Sequence, residues 1–412
     1  MSFFYSFLIR CYGAFLHLAG VFNPKAKAWV KGRVNWQDNL RHSLPKDRKI
    51  NWFHCASLGE FDQGLPLMNA LKEKDPSCFL LVTFFSPSGM EHYQKRGAHV
   101  DAACYLPLDT VSNARTFIEI ANPHLAVFVK YEFWPNFLKA LGERNVNVIA
   151  VSALFRPSQL YFKWYGGFFK NALKHIKHFY VQNTQSAALL SQIGIDDHTV
   201  SGDLRFERVV QAKEQSLERS NPIMEAFVHG HSVLILGSSW PREEEIVSRS
   251  FSLMNAEKII IAPHDIGEKH IVSILNHFPN ALRYTHLDTQ IHEQEIKDAR
   301  VLVLDCIGLL SSAYRYGTIA FIGGGFSGSL HNILEPAVYG LPILFGPKHS
   351  KFPEAAMFLE KEFAREVVDE NTFIQCFQEL LSGHQKRSQN MMAFIHSQSG
   401  MAKRIAENMR NN

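Results

Sequence analysis

The sequence predicts an α/β protein of two Rossmann-like domains facing each other across a cleft, preceded by an apolar, membrane-associating helix. Three observations predict it. Short apolar runs alternate with amphipathic stretches of helical length along most of the chain, the rhythm of a parallel sheet with helices on both faces. The rhythm stops in a polar stretch at residues 211–222 and then restarts. In the second half, an apolar run ends in Gly323-Gly-Gly-Phe-Ser-Gly-Ser329. A glycine-rich turn of that kind brings backbone N–H groups and a helix start against a phosphate.

The chain has 412 residues, enough for two ordinary domains. With 46% hydrophobic and 20% charged residues it can bury large cores, which excludes wholesale disorder. A formal net charge of only +4 argues against a general nucleic-acid binder. The six cysteines, Cys11, Cys55, Cys78, Cys104, Cys306 and Cys376, form no C-x-x-C pair. Neither a zinc site nor a disulfide framework is indicated, and scattered thiols suit a reducing compartment.

Residues 1–24 read as the membrane-associating segment. Phe3, Phe4, Tyr5, Phe7, Leu8, Ile9, Tyr12, Phe15, Leu16, Leu18, Val21 and Phe22 crowd it, and Arg10 is its one charge. It is just long enough to reach across a bilayer, or it lies in the interface; the plain alternative is a helix that packs on its own domain. It lacks the basic start and small-residue cleavage site of a signal peptide. Lys25, Lys27, Lys31 and Arg33 follow, and by the positive-inside rule they keep the rest of the chain on the cytoplasmic face.

The first domain, residues 25–205, carries strands at 50–55, 79–84, 125–129, 146–151 and 179–181, with helices between them such as 61–74 and 110–121. The second, residues 206–412, carries strands at 233–236, 258–262, 301–304, 318–322 and 343–345. Residues 385–409 read as one helix with the reach to cross back to the first domain. Residues 156–180 are rich in aromatic and basic side chains. They suit either an amphipathic core helix with solvated lysines or a second membrane-docking surface.

Ligands of such sheets bind beyond the carboxyl ends of the strands. His54-Cys-Ala-Ser-Leu-Gly-Glu60 follows the first strand. Ser57 and Glu60 have capping-box spacing. The same spacing sets a carboxylate at the strand mouth, where it can take a proton from an acceptor hydroxyl. Lys130-Tyr-Glu-Phe-Trp-Pro135 places Glu132 at another strand end, beside a helix starting at Pro135. In the second domain Gly237-Ser-Ser-Trp-Pro-Arg-Glu243-Glu-Glu is ordinary helix-start chemistry. His264 ends the next strand. The glycine stretch is neither a Walker loop nor a dinucleotide fingerprint. Its late position and the acid on the next helix suggest a nucleotide-sugar site, although Asn332 and Glu335 are also spaced as a capping box. No D-x-D motif is present, which fits a metal-free mechanism.

Together these motifs resemble the 3-deoxy-D-manno-octulosonic acid (Kdo) transferases of lipopolysaccharide synthesis. The resemblance runs through Ser-Leu-Gly-Glu60, Glu132-Phe-Trp-Pro, Gly202-Asp-Leu-Arg-Phe, the turn before Glu243-Glu-Glu, the glycine loop, His331-Asn-Ile-Leu-Glu335-Pro-Ala and Phe345-Gly-Pro. It implies the GT-B architecture and an inverting transfer of Kdo from CMP-Kdo to a hydroxyl of a lipid A precursor. It implies no cofactor and no metal, and a place on the cytoplasmic face of the inner membrane. By resemblance the catalytic residues are Glu60, as general base, and Glu132. The donor-binding set is Ser238, His264, Gly308, Gly323, Gly324, Gly325, Ser327, Gly328, Ser329, Asn332 and Glu335, with Ser57 and Gly59 on the acceptor side. Two departures stand out. The family's Pro-Arg-His-Pro is here Ala262-Pro-His-Asp265, and its glycine before the acidic run is Arg242. The alternatives are a GT-B transferase using a UDP-sugar and a lipid-linked acceptor, a sugar epimerase of the same fold, and a membrane-associated nucleotide-binding protein without activity.

Overall fold

The computed structural model describes residues 2–96, 99–217, 220–254 and 258–409. The chain divides into two compact units, Met1–Arg208 with Gln398–Asn412, and Val209–Ser397. Each is built on a seven-stranded parallel sheet.

The first unit contains β1 (Ile50–His54), β2 (Phe79–Phe84), β3 (Ala102–Tyr105), β4 (Leu125–Val129), β5 (Asn147–Ala153), β6 (His178–Val181) and β7 (His198–Val200), in the order 3-2-1-4-5-6-7. Every residue of β1, β2 and β4 is buried, as expected for strands covered on both faces. Successive side chains feed opposite layers. Trp52 and Phe128 pack with Phe117 and Phe137 on one face. Phe53 and Val127 pack with Phe61, Leu65, Ala402 and Ile405 on the other. The strand order reverses between β1 and β4, the switch point at which such sheets open a crevice.

The second unit contains β8 (Val233–Ser239), β9 (Lys258–Pro263), β10 (Leu282–Arg283), β11 (Val301–Val303), β12 (Ile319–Ile322), β13 (Ile343–Phe345) and β14 (Ala364–Glu366). Its order is 10-11-9-8-12-13-14. The two-residue β10 sits at the edge, and its switch point lies between β8 and β12. Leu234, Leu236, Ile259, Ile261 and Phe321 make the core with Phe373 and Phe377.

Several expectations are corrected. The N-terminal segment does form a helix, Ser2–Ala19. At 18 residues it is about 27 Å long, short of a hydrocarbon core of about 30 Å. Among the described residues no helix is long and apolar enough to cross a membrane. One edge of the helix packs on the first unit: the Tyr5 hydroxyl donates to Asp109 Oδ2 (2.9 Å) and Asn136 donates to the Ser6 hydroxyl (3.3 Å). Phe3, Phe4, Phe7, Phe15 and Leu18 stay exposed. Residues 156–180 are not one helix but a 3₁₀ turn, Leu160–Phe162, and a short helix, Gly167–Leu173, ahead of β6. The span 385–409 is two helices, His384–Ser397 and Met401–Asn408, broken at Gly400 with φ 87°. The second packs in the first unit. The short edge strands β3, β7, β10 and β14 carry too few buried residues to read as apolar runs.

Candidate active site

In the first unit the loop from β1 enters the helix Leu58–Lys74, N-capped by Ser57. The Glu60 N–H donates to the Ser57 hydroxyl (3.4 Å), and Glu60 Oε2 accepts from the Ala56 N–H (2.5 Å). The capping reading therefore holds for Ser57, while the carboxylate reaches one residue further back than a capping box requires. Glu60 is only 6% exposed. Burial, and secondly the Glu132 carboxylate, push its carboxyl up to about 7, against the pull of Lys130 and the Ala56 N–H. A Cβ at Gly59 would meet nothing within 4 Å, so the backbone beside Glu60 borders open space.

Glu132 lies in the turn after β4, and burial raises its carboxyl too. The turn is strained: Lys130 takes φ 72°, a left-handed conformation costly to a side chain and common at functional sites. The Tyr131 hydroxyl is held up by burial and by both carboxylates, so Glu60 and Glu132 share one electrostatic site.

A buried relay ties the two strand ends together. The Trp134 indole N–H donates to His54 Nε2 (2.9 Å), and His54 Nδ1 bonds Thr83 Oγ1 (3.0 Å). An indole only donates, so Nε2 must accept and Nδ1 carries the proton. Burial drives the His54 imidazole down to about 3, which keeps it in that neutral form.

In the second unit β8 ends in a bulge at Ser238, φ 52°. There the glycine loop after β12 comes in close. A Cβ on Gly323 would lie 2.0 Å from the Ser238 carbonyl oxygen, and one on Gly325 2.4 Å from the Gly346 nitrogen. Gly324 has φ 85° and donates its N–H to Glu243 Oε1 (2.9 Å). That donor is therefore taken by protein rather than open to a phosphate. The loop is closed further by Ser329 N–H and the Ser327 hydroxyl, both donating to the Gly324 carbonyl (3.0 and 3.1 Å), and by Lys348 N–H to the Gly325 carbonyl (2.7 Å). Gly328, φ 80°, has no atom closer than 3.8 Å to a Cβ.

His264 stacks on Trp240 (ring centroids 4.5 Å) and lies 4.6 Å from His331. The capping-box reading of Asn332 and Glu335 fails. The helix starts at Leu334 and runs only to Val338. Asn332 Oδ1 accepts from the Leu334 N–H (3.0 Å), while its amide donates to Glu335 Oε1 (3.1 Å). Gly308, φ 98°, lies beyond β11 and lines a cavity of about 380 Å³ with Asn221, Ser312 and Arg315.

Sequence reasoning missed three things here. The local sequence around Glu243 signals only helix-start chemistry, yet Glu243 clamps the glycine loop from 81 residues away. Trp240 gave no signal of its stack. His54, beside the Ser-Leu-Gly-Glu60 motif, was not assigned its relay. Among the described residues no group of three His, Cys, Asp or Glu is placed to hold a metal.

Residues 31–208 match a family model described as 3-deoxy-D-manno-octulosonic-acid transferase (kdotransferase). The chain is 28% identical over 354 residues to the 3-deoxy-D-manno-octulosonic acid transferase of Aquifex aeolicus, covering 83% of this chain and 90% of that one. It is 24% identical over 413 residues to the enzyme of the same name from Chlamydophila psittaci, covering 96% and 93%. Among solved structures it is similar to a UDP-GlcNAc 2-epimerase from Neisseria meningitidis bound to UDP-GlcNAc. The TM-score is 0.63 at 14% identity, over 89% of this chain and all (100%) of that one. That likeness is one of fold.

Proposed function

The chain belongs to the Kdo transferase family and is a glycosyltransferase, and from that premise we propose that it transfers Kdo from CMP-Kdo to a hydroxyl of a lipid A precursor, with Glu60 as general base. One observation carries the assignment of the base. Glu60 is a buried carboxylate at the β1 mouth whose proton affinity lies near neutrality, where a general base is most effective. Its Oε2 is anchored by the Ala56 N–H, which leaves Oε1 to accept a proton.

The acceptor O–H gives its proton to Glu60, and its oxygen forms the bond to the Kdo anomeric carbon. The carbon–oxygen bond to CMP breaks, and its electron pair leaves on the phosphate. Attack opposite the leaving group inverts configuration. CMP carries one phosphate, so less charge develops than on a diphosphate. With the Gly324 N–H, the Ser329 N–H and the Ser327 hydroxyl engaged within the protein, the donors that suit that charge without a metal are the Gly328 N–H and the Ser238 and Ser329 hydroxyls. Glu132, through its charge, makes Glu60 the stronger base.

A lipid acceptor calls for membrane contact. Phe3, Phe7, Phe15 and Leu18 on the N-terminal helix are exposed, and so is Trp164 at 95%. Tyr5 on the same helix packs against Phe168 and Phe169 (5.3 and 5.8 Å), which sets the two apolar segments side by side. Lys25, Lys27, Lys163 and Lys170 lie nearby in sequence. Each large side chain moved from water into lipid is worth roughly 1.5–3 kcal/mol. In this reading the helix lies in the interface on the cytoplasmic face of the inner membrane.

The test is incubation of the purified protein with CMP-Kdo and a tetraacyl lipid A precursor, followed by mass analysis of the lipid. A Kdo adduct is expected, and its absence with turnover of a UDP-sugar would favour the alternative donor. Deleting residues 2–22 should release the protein from membranes and spare CMP binding. An insoluble, unfolded product would show that the helix belongs to the core.

A further inference from the structure

Among the described residues Arg33 is a half-buried cation with no anion beside it. Its Nε donates to the Leu106 carbonyl (2.8 Å), Nη1 to Trp29 (3.0 Å) and Nη2 to Phe85 (2.9 Å). The guanidinium lies over the rings of Trp29 (3.7 Å), Tyr105 (4.8 Å) and Phe85 (5.1 Å). Among the described residues no carboxylate pairs with it; the groups that act on it are Tyr105, Tyr12 and Cys104. Rings and carbonyls solvate a cation, but they do not neutralise it. Three of its five N–H groups are used.

Beside it lies a second unmet need. Trp29 is 5% exposed, and its buried indole N–H has no hydrogen-bond partner among the described residues. Orphaned buried donors are rare and call for an explanation. Both residues line a cavity of about 260 Å³, together with His17, Trp36 and Asn113. A cation lacking a counter-charge and a neutral donor lacking an acceptor are together met by an anionic oxygen group.

The place narrows the ligand. Phe85 and Leu106 follow directly on β2 and β3, so the cavity opens at the end of the sheet that carries Glu60. Two strand spacings separate β3 from β1, about 10 Å. His17 belongs to the N-terminal helix with the exposed apolar side chains. We propose that this cavity binds the phosphate monoester of a lipid headgroup, with Arg33 as its counter-charge and the Trp29 indole as a neutral donor. The inference rests on the lipid-acceptor reading above and goes beyond it in placing a subsite: a phosphate held at Arg33 and Trp29 lies two strand spacings, about 10 Å, from the β1 mouth, so that a hydroxyl of the same headgroup reaches Glu60.

The experiment is vesicle flotation of the full chain. Phosphatidylcholine vesicles containing phosphatidate are compared with vesicles containing phosphatidylglycerol, for wild type, Trp29→Phe and Arg33→Gln. Trp29→Phe keeps a ring under Arg33 and leaves every charge in place. It should lower the preference for phosphatidate about tenfold, the worth of one hydrogen bond to a charged group. It should leave phosphatidylglycerol binding unchanged. Arg33→Gln should abolish the preference. An undiminished preference in Trp29→Phe overturns the site and leaves the docking reading standing. If wild type binds neither vesicle, the docking reading fails, and inorganic phosphate decides the site. Stabilisation of wild type against heat by millimolar phosphate, lost in Trp29→Phe, supports it, and equal stabilisation of both chains overturns it. Release of bound vesicles by free phosphate would show that the cavity takes the free anion as well as the headgroup.

Discussion

Replacing Glu60 by glutamine should weaken the enzyme and strengthen the fold at once. The Glu60 carboxyl stands at about 7, against an ordinary 4.5, because it is buried and faces Glu132. The folded state therefore binds this proton more tightly than the unfolded state. The contribution is fully present below pH 4.5 and is lost as pH rises through 7. At about 1.36 kcal/mol per pH unit the loss is ~3 kcal/mol. Glutamine cannot ionise, yet its amide oxygen can still accept from the Ala56 N–H. At pH 8, Glu60→Gln should thus be more stable than wild type by a sizeable part of that ~3 kcal/mol, and no more stable at pH 4. Transfer should fall about 10²–10⁴-fold. Glu132→Gln removes the neighbouring anion, so the Glu60 carboxyl falls and the acid limb of the kcat/KM profile moves to lower pH. The assay is mass-detected transfer of Kdo from CMP-Kdo as a function of pH, beside thermal denaturation at the two pH values. Transfer by Glu60→Gln within about tenfold of wild type, or an acid limb unmoved by Glu132→Gln, would refute the reasoning.

His54→Leu leaves the Trp134 indole N–H without its acceptor, a loss of about 1–3 kcal/mol. It should lower kcat through a displaced Glu132 turn while CMP affinity, measured by calorimetry, stays the same. Glu243→Ala strips the acceptor from the Gly324 and Trp240 N–H groups. CMP binding should weaken at least about tenfold as the loop loosens. Gly324→Ala puts a Cβ at φ 85°, 2.2 Å from the Ser329 carbonyl oxygen, and should abolish CMP binding with a clear drop in Tm. Transfer should survive excess EDTA, and activity restored only by added magnesium would contradict a metal-free departure of CMP.

How much of this was legible in the sequence follows from where each side chain gets its partners. The central strands were readable because a strand buried on both faces must be apolar throughout, as in Phe79–Phe84 and Leu125–Val129. The edge strands His198–Val200 and Leu282–Arg283 face water and leave no such trace. Placing Glu60 and Glu132 after strands was a local matter, since strand, turn and cap are set by a few adjacent residues. Local spacing failed at Asn332, where the helix start lay two residues on and the Asn332 amide bonded Glu335 instead. The N-terminal helix was evident from composition, but its length and its packing on Asp109 were not.

By itself the sequence determined two parallel α/β units, a glycine turn at a strand end, and carboxylates at the β1 and β4 mouths. The tertiary structure alone decided what those groups are chemically. It raised Glu60 to about 7 by enclosing it with Glu132. It fixed the tautomer of His54 through Trp134, 80 residues away. It placed the Gly324 N–H on Glu243 and caged Arg33 among the rings of Trp29, Phe85 and Tyr105. The physical reason is that helix and strand follow from neighbours along the chain. Proton affinity and hydrogen-bond satisfaction depend on the dielectric and on partners that only folding brings within reach.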